Sequence, residues 1–225
     1  MAATTIQAPT LEGHPIRLEP LAHRHIDGLV AAAAADPSLY PSLYPSLYQW
    51  SPIPQGKIAA EKYVATALAW QEAGTAAPFA VIRLADNAVI GSTRFFDIEY
   101  WAWPPGHASH DRASDGRTLP DVCEIGYTWF AASAIRTPAN TESKLLMLTY
   151  AFETWKVHRV CLHTDVRNAR SRAAIERIGG KFEGILRAHR MAADFIPRDS
   201  ARYSIIAAEW LAVKARLLEL RDRAR

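Results

Sequence analysis

Runs of apolar residues along the chain alternate with polar punctuation at two periods, two residues and about three and a half. "IRLEPL" (16–21) reads as a first strand, and "HRHIDGLVAAAAA" (23–35) as a helix that stops before Pro37. A second helix, "GKIAAEKYVATALAWQEAG" (56–74), closes on Gly74. Two strands follow, "PFAVIRLA" (78–85) and "AVIGSTRFFDIEYW" (88–101), joined at Asp86-Asn87 by a hairpin-like turn. "CEIGYTWF" (123–130) is the next strand. Beyond it, Leu145, Leu148, Phe152 and Trp155 recur at helical spacing and mark the core face of a helix entered from a loop at 134. A strand (159–166), a helix with a glycine stop (168–180), strands at 181–191 and 201–207, and a helix (208–223) complete the chain.

The second half thus runs strand, helix, strand, helix, strand. That order requires at least one parallel strand pair with a crossover helix. The hairpin in the first half makes the sheet mixed. The fold class is α/β (mixed α+β), a single domain over 1–225 with one central sheet of about six to seven strands. A flexible N-terminus (1–13) and two long loops (37–55 and 102–121) decorate it.

The first long loop contains a repeat, "PSLYPSLYPSLYQW" (37–50), whose period of four is too short for a solenoid unit. Proline at every fourth position removes donors and disfavours a regular helix. Tyr40, Tyr44, Tyr48 and Trp50 either cover a substrate cleft or pack on the body as a satellite cluster. The second loop carries His107, His110, Asp111 and Asp115, which a polar loop brings together by composition alone, so no metal site is assigned.

Composition narrows the classes little. The net charge is +3, and the arginines of the last sixteen residues alternate with Glu and Leu as on a solvated amphipathic helix. No aromatic-basic stripe points to nucleic acid. Cys123 and Cys161 both lie in apolar, strand-like contexts, which fits a reduced, cytoplasmic protein with buried thiols. The N-terminus lacks the pattern of a secretory signal, and no stretch has the length to span a bilayer.

The entrance to the helix after 134 is the most informative stretch. In "AIRTPANTESK", Arg136, Thr137, Asn140, Thr141 and Lys144 crowd into two turns before the apolar face begins at Leu145. Either Thr137 caps with Pro138 in the first turn, or Asn140 and Thr141 cap a later start. In both cases unpaired backbone N–H groups and the positive helix end point outward, where they suit a phosphate. The same residues also suit an ordinary capped helix.

The combined pattern "EIGYTWF…NTESKLLMLTYAFETWKVHRVCLHTDVRNARSRAAIERIGGKFEGILRAHR" resembles the GNAT superfamily of acetyl-CoA-dependent N-acetyltransferases, and within it the ribosomal-protein N-terminal (Rim-type) branch. The resemblance covers about residues 14–215 and is strong over 123–190. It implies that the strand ending at Trp129 and Phe130 splays from the parallel strand at 159–166. The pantetheine arm of acetyl-CoA then lies between them, and the diphosphate sits at Arg136, Thr137, Asn140, Thr141 and Lys144. Asn168 falls where the family contacts the CoA arm, and Ser171 where a hydroxyl lies near the thiol and protonates it on departure. The bare residues read as a cap (Asn168) and a first-turn serine (Ser171). One departure is plain. The family's glycine-bearing diphosphate loop corresponds here to Ile135–Asn140, "IRTPAN", which has no glycine, and Pro138 supplies no N–H.

Acetyl transfer from a thioester needs an uncharged amine, a donor for the carbonyl oxygen and a proton route to the sulfur. A carboxylate or histidine helps deprotonate the amine. Glu124, at the start of its strand, is the first candidate base, with Glu183 and His189 as alternatives that share a strand face by even spacing. The resemblance would place a carboxylate near 190, where this chain has Arg190. The expected partners are acetyl-CoA and an amine acceptor, either a protein N-terminus or a small molecule, and a homodimer is allowed. Two functions follow from the residues, an N-acetyltransferase or a CoA-binding regulatory module without turnover.

Overall fold

A computed structural model of the protein describes residues 9–34, 50, 53–107, 119–192 and 195–223. The strands are β1 (Leu11–Glu12), β2 (Ile16–Pro20), β3 (Ala76–Arg83), β4 (Val89–Glu99), β5 (Val122–Phe130), β6 (Arg159–Asp165), β7 (Lys181–Met191) and β8 (Pro197–Ile206). They form one sheet in the order β1-β2-β3-β4-β5-β6-β8-β7. Every neighbouring pair is antiparallel except β5 and β6. The helices are α1 (Ile26–Ala33), α2 (Gly56–Glu72), α3 (Ala139–Thr149), α4 (Ala169–Arg177) and α5 (Trp210–Asp222).

The sheet has eight strands where six to seven were expected. The addition is β1, two residues inside the segment expected to be flexible. Two residues are too few to show alternation. What places them is pairing (Leu11 opposite Leu18) and the nearby His14 N–H, which donates to the Glu142 carboxylate of α3 at 3.1 Å. The Asp86-Asn87 turn forms as expected, with Asn87 in the left-handed region (φ 56°). The tyrosine repeat, with Tyr40, Tyr44 and Tyr48, and the loop residues His110, Asp111 and Asp115 lie outside the described residues.

The crossover helix α3 buries the face its spacing predicts. Leu145, Leu148, Phe152 and Trp155 are all in the core. The helix ends in one wide turn, Tyr150–Thr154. That turn brings the Tyr150 and Trp155 rings onto Phe95 of β4, 6.3 and 4.7 Å between centroids. Helix α3 is thereby fixed to the centre of the sheet, and its N-terminus is fixed relative to the end of β5. No helix of the described residues is long and apolar enough to cross a membrane.

Close backbone contact between β4 and β5 sets the outer half of β5. A methyl group at Gly91 would lie 2.1 Å from the Trp129 carbonyl oxygen. Gly91→Ala must therefore push β4 and β5 apart. The expected loss is about 1–3 kcal/mol in denaturant unfolding, with a lower affinity for any ligand seated along Trp129 and Phe130. A stable, fully binding-competent variant would show that β5 is not held by this contact.

Candidate functional site

The parallel ladder between β5 and β6 covers only Val122↔Arg159, Cys123↔Val160 and Glu124↔Cys161. Past Glu124 the strands separate. On its other side β5 keeps pairing with β4, but with a bulge: Arg94 faces Gly126 while Ser92 faces Trp129. Tyr127, inside the bulge, has φ 52°, an uncommon conformation for an aromatic residue. A bulge adds twist and bends its strand, and this one coincides with the departure of β5 from β6. Two clefts of about 530 Å³ each open along the parted strand, and both are bounded by Thr128 and Trp129.

The first cleft collects the residues expected to hold a cofactor. Trp129, Phe130, Arg136, Thr137, Asn140, Thr141, Lys144 and Asn168 all line it, together with Ser171. At its mouth Thr137 Oγ1 donates to Ala134 O (2.7 Å) and accepts from Ala139 N–H (3.3 Å), but α3 begins at Ala139 with Pro138 in the N-cap position, between the two starts expected. The Glu142 N–H reaches Pro138 O, leaving the N–H groups of Asn140 and Thr141 ahead of it in the first turn. Pro138 therefore removes no donor that the helix would have used. The loop also compensates for its missing glycine: Arg136 itself takes the left-handed conformation (φ 62°).

Two cations at this cleft escaped the sequence reading. Arg170 and Arg177 of α4 line it with Arg136 and Lys144, and among the described residues no carboxylate does. Arg177 Nη1 and Nη2 both donate to Thr141 Oγ1 at 3.2 Å, which ties α4 to the start of α3. Arg170, Ala174 and Arg177 are spaced i, i+4, i+7, one helix face, and that periodicity was the available signal. Asn168 caps α4 by accepting the Ser171 N–H (3.0 Å).

Lys144 differs in role from a surface charge. Its side chain is buried, its Nζ donates to Thr128 Oγ1 at 2.7 Å, and burial lowers its pKa to about 7. Thr128 in turn shares a hydrogen bond with Thr93 (2.8 Å). The lysine sits at the seam between the clefts. The Trp129 ring lies edge-on to Tyr63, 6.5 Å between centroids, and its Nε1–H is buried with no acceptor among the described residues.

The second cleft holds Glu124. Its Oε2 lies 2.6 Å from His163 Nδ1, both side chains nearly buried, while His163 Nε2 has no partner among the described residues. His163 went unnoticed because one histidine in a strand carries no motif; only its register beside Glu124 gives it meaning. Arg190, at the position where a carboxylate was sought, pairs with Asp97 at 2.6 Å and lies 3.8 Å from Glu124. Of the alternative bases, Glu183 is engaged by Arg159, Arg202 and Ser204 and lines neither cleft. The His189 ring stands behind His163, 5.2 Å away, and burial lowers its pKa. The face-sharing expected of Glu183 and His189 is broken by register shifts in β7, with Ala188 at φ 46°. Trp50, at the end of the tyrosine repeat, lines this cleft under the Arg167 guanidinium (3.9 Å).

Comparison with known proteins identifies the family. The profile of the Acetyltransferase (GNAT) domain matches residues 16–181. The chain is 36% identical over 87 residues to YdaF of Bacillus subtilis (strain 168), whose name provisionally makes it a ribosomal N-acetyltransferase. That match spans 39% of this chain and 46% of YdaF, less than half its length. Among solved structures, a GCN5-related N-acetyltransferase from Brucella melitensis superposes with a TM-score of 0.76 at 26% identity, covering 97% of this chain and 87% of that one. An acetyltransferase structure from T. thermophilus gives 0.68 at 30%, covering 94% and 96%. RimJ of Mycobacterium smegmatis, solved in complex with CoA-disulfide, shares the fold at 19% identity (TM-score 0.67, covering 91% and 88%).

The buried lysine makes stability depend on pH. Its folded pKa of about 7 lies below the unfolded value of about 10.4. Between these the unfolded chain binds more protons, so this group's contribution rises with pH. Wild-type stability should climb relative to Lys144→Met from about pH 7 to 10, by up to about 1.4 kcal/mol per pH unit. Parallel pH profiles for the two proteins would place the amine in water.

Proposed function

Since the chain belongs to the Acetyltransferase (GNAT) domain family, we propose that it moves an acetyl group from acetyl-CoA to a primary amine by direct attack. Acetyl-CoA occupies the first cleft and the amine the second. The observation that carries this reading is the meeting of an arginine-lined cleft, with no carboxylate among its described residues, and a Glu124–His163 cleft at Thr128 and Trp129, where β5 leaves β6.

Acetyl-CoA supplies an activated acetyl thioester. The chain's residues supply position and proton transfer. Arg136, Arg177 and the first-turn N–H groups of α3 face the diphosphate, charge-assisted and aligned with the helix dipole. The parted edge of β5 offers unpaired backbone groups to the amides of the pantetheine arm. In the second cleft the Glu124 carboxylate holds the His163 proton on Nδ1, which leaves Nε2 as the acceptor for a proton from the ammonium form of the acceptor. The free amine then attacks the thioester carbonyl and the C–S bond breaks. Ser171 Oγ–H passes its proton to the departing sulfur and is restored by the excess proton of the attacking nitrogen, while His163 releases the proton it took from the ammonium to solvent. The products are an amide and free CoA thiol. The acceptor is a protein N-terminus, in keeping with the Rim-type resemblance of the sequence, or a small amine. The glycine-free loop supports one other reading, a CoA-binding regulatory module; it predicts binding with no thiol release from any acceptor.

Three outcomes test the proposal. Acetyl-CoA should raise the melting temperature, because only the folded chain has the cleft, and Arg136→Ala should reduce that rise. No shift at millimolar acetyl-CoA would remove the CoA reading. His163→Gln should cut kcat by about 10²–10⁴-fold in a thiol-release assay, the usual worth of a general base, with acetyl-CoA affinity kept. Glu124→Gln, which leaves the His163 tautomer unheld, should lower kcat in the same direction; unchanged kcat in both would move the base elsewhere. Ser171→Ala should lower kcat more than affinity, and equal losses in both would leave it a packing residue.

A further inference from the structure

Arg94 of β4 is among the largest fully buried side chains, 1% exposed, and it forms part of the wall of the second cleft. Three rings surround its guanidinium: Tyr127 at 4.4 Å, Tyr63 at 4.8 Å and Trp70 at 5.3 Å from Cζ. The rings satisfy its faces by cation–π attraction. Its edges are different. Neither Nε nor Nη2 has an acceptor among the described residues. A buried guanidinium normally has its N–H groups paired, since desolvating charge without a partner is costly. Nη2 belongs to both pairs of N–H groups with which a guanidinium grips a carboxylate bidentately.

The surroundings are cationic too. Lys62, Arg198 and the Asp97-paired Arg190 line the same cleft, and among the described residues its one carboxylate is Glu124. Arg94 faces Gly126, two residues along β5 from Glu124, or about 7 Å. An amine beside His163 and an anionic group on Arg94 can thus belong to one small molecule. Two of the three rings are held from behind: α2 carries Tyr63 and Trp70, and the Tyr63 hydroxyl donates to Ser92 Oγ at 3.1 Å. Tyr127 is the exposed member, on the bulge and edge-on to Trp70 and Phe96, so a ligand would reach the guanidinium edge past this ring.

We propose that Arg94 is the docking point for a carboxylate on the acceptor, so that this cleft selects amines that carry a carboxylate over their neutral counterparts. The proposal rests on the acetyl-transfer reading for the role of the amine, but not for the anion site. A bidentate carboxylate–guanidinium contact corresponds to roughly a ten- to hundredfold difference in KM.

The test compares wild-type thiol release with 4-aminobutyrate and with 4-aminobutyramide, alongside succinate binding followed by tryptophan fluorescence. The expected result is a ten- to hundredfold lower KM for the carboxylate, a ratio that falls towards one in Arg94→Gln and is partly restored in Arg94→Lys. Succinate should bind the wild type and not Arg94→Gln. If Arg94→Gln does not fold, the wild-type preference and Arg94→Lys still decide. Acetyl transfer with equal KM for the two acceptors, or a preference that persists in folded Arg94→Gln, overturns the assignment while leaving the transferase reading intact. Succinate binding that depends on Arg94, with no thiol release from any amine, supports the anion site and overturns the transferase reading instead.

Discussion

The short parallel ladder between β5 and β6 is the constraint on which the rest of the site depends. Three residue pairs hold the strands together, and the bulge at Tyr127 then turns β5 away. Backbone groups freed in this way must find partners, because buried unpaired N–H and C=O groups are costly. In the proposed function that edge of β5 is left to the pantetheine arm of acetyl-CoA. Everything needed to keep the gap from closing is nearby: α3 is clamped to Phe95 by Tyr150 and Trp155, Lys144 ties α3 to Thr128, and Arg177 ties α4 to Thr141. The gap is therefore a fixed separation between two braced walls.

That separation also divides the chemistry. On one side lie cations, helix N–H groups and a capped α4; on the other lie Glu124, His163 and the ring-enclosed Arg94. Thr128 and Trp129 are common to both. In the proposed reaction a thioester reaching this seam from the first cleft meets an amine approaching from the second. The arrangement uses position and proton transfer alone, and neither Cys123 nor Cys161 takes part. Cys123 is fully buried, and burial with the neighbouring Cys161 and Glu124 pushes its thiol well above its usual range, which suits packing and not nucleophilic attack.

Local rules made much of this legible in the sequence. Helical spacing found the core face of α3, the glycine stop ended α4, and Asn168 was readable as a cap because its side chain needs only its own helix. The cofactor residues could be named because the pattern from Glu124 to Arg190 resembles a known family. What escaped reading depends on register between distant segments. His163 acquires meaning from the strand beside it, β1 from its partner, and Arg94 from rings on α2 and β5 that lie far from it in sequence. The bulge was hidden for the same reason: "GYTWF" alternates like any strand, and only the mismatch with β4 turns Tyr127 left-handed. The loop "IRTPAN" shows the converse. Its lack of glycine is evident in the sequence, but the compensation by the φ of Arg136 is a property of the folded loop.

The central claim is that acetyl-CoA fills the gap between β5 and β6. Amide hydrogen exchange with and without acetyl-CoA tests it most directly. Binding should slow exchange at residues 126–130 of β5 and at Asn140 and Thr141 in the first turn of α3, with little change in β1 to β3. Protection confined to other elements, or unchanged exchange along 126–130 under conditions where acetyl-CoA is bound, would contradict the account.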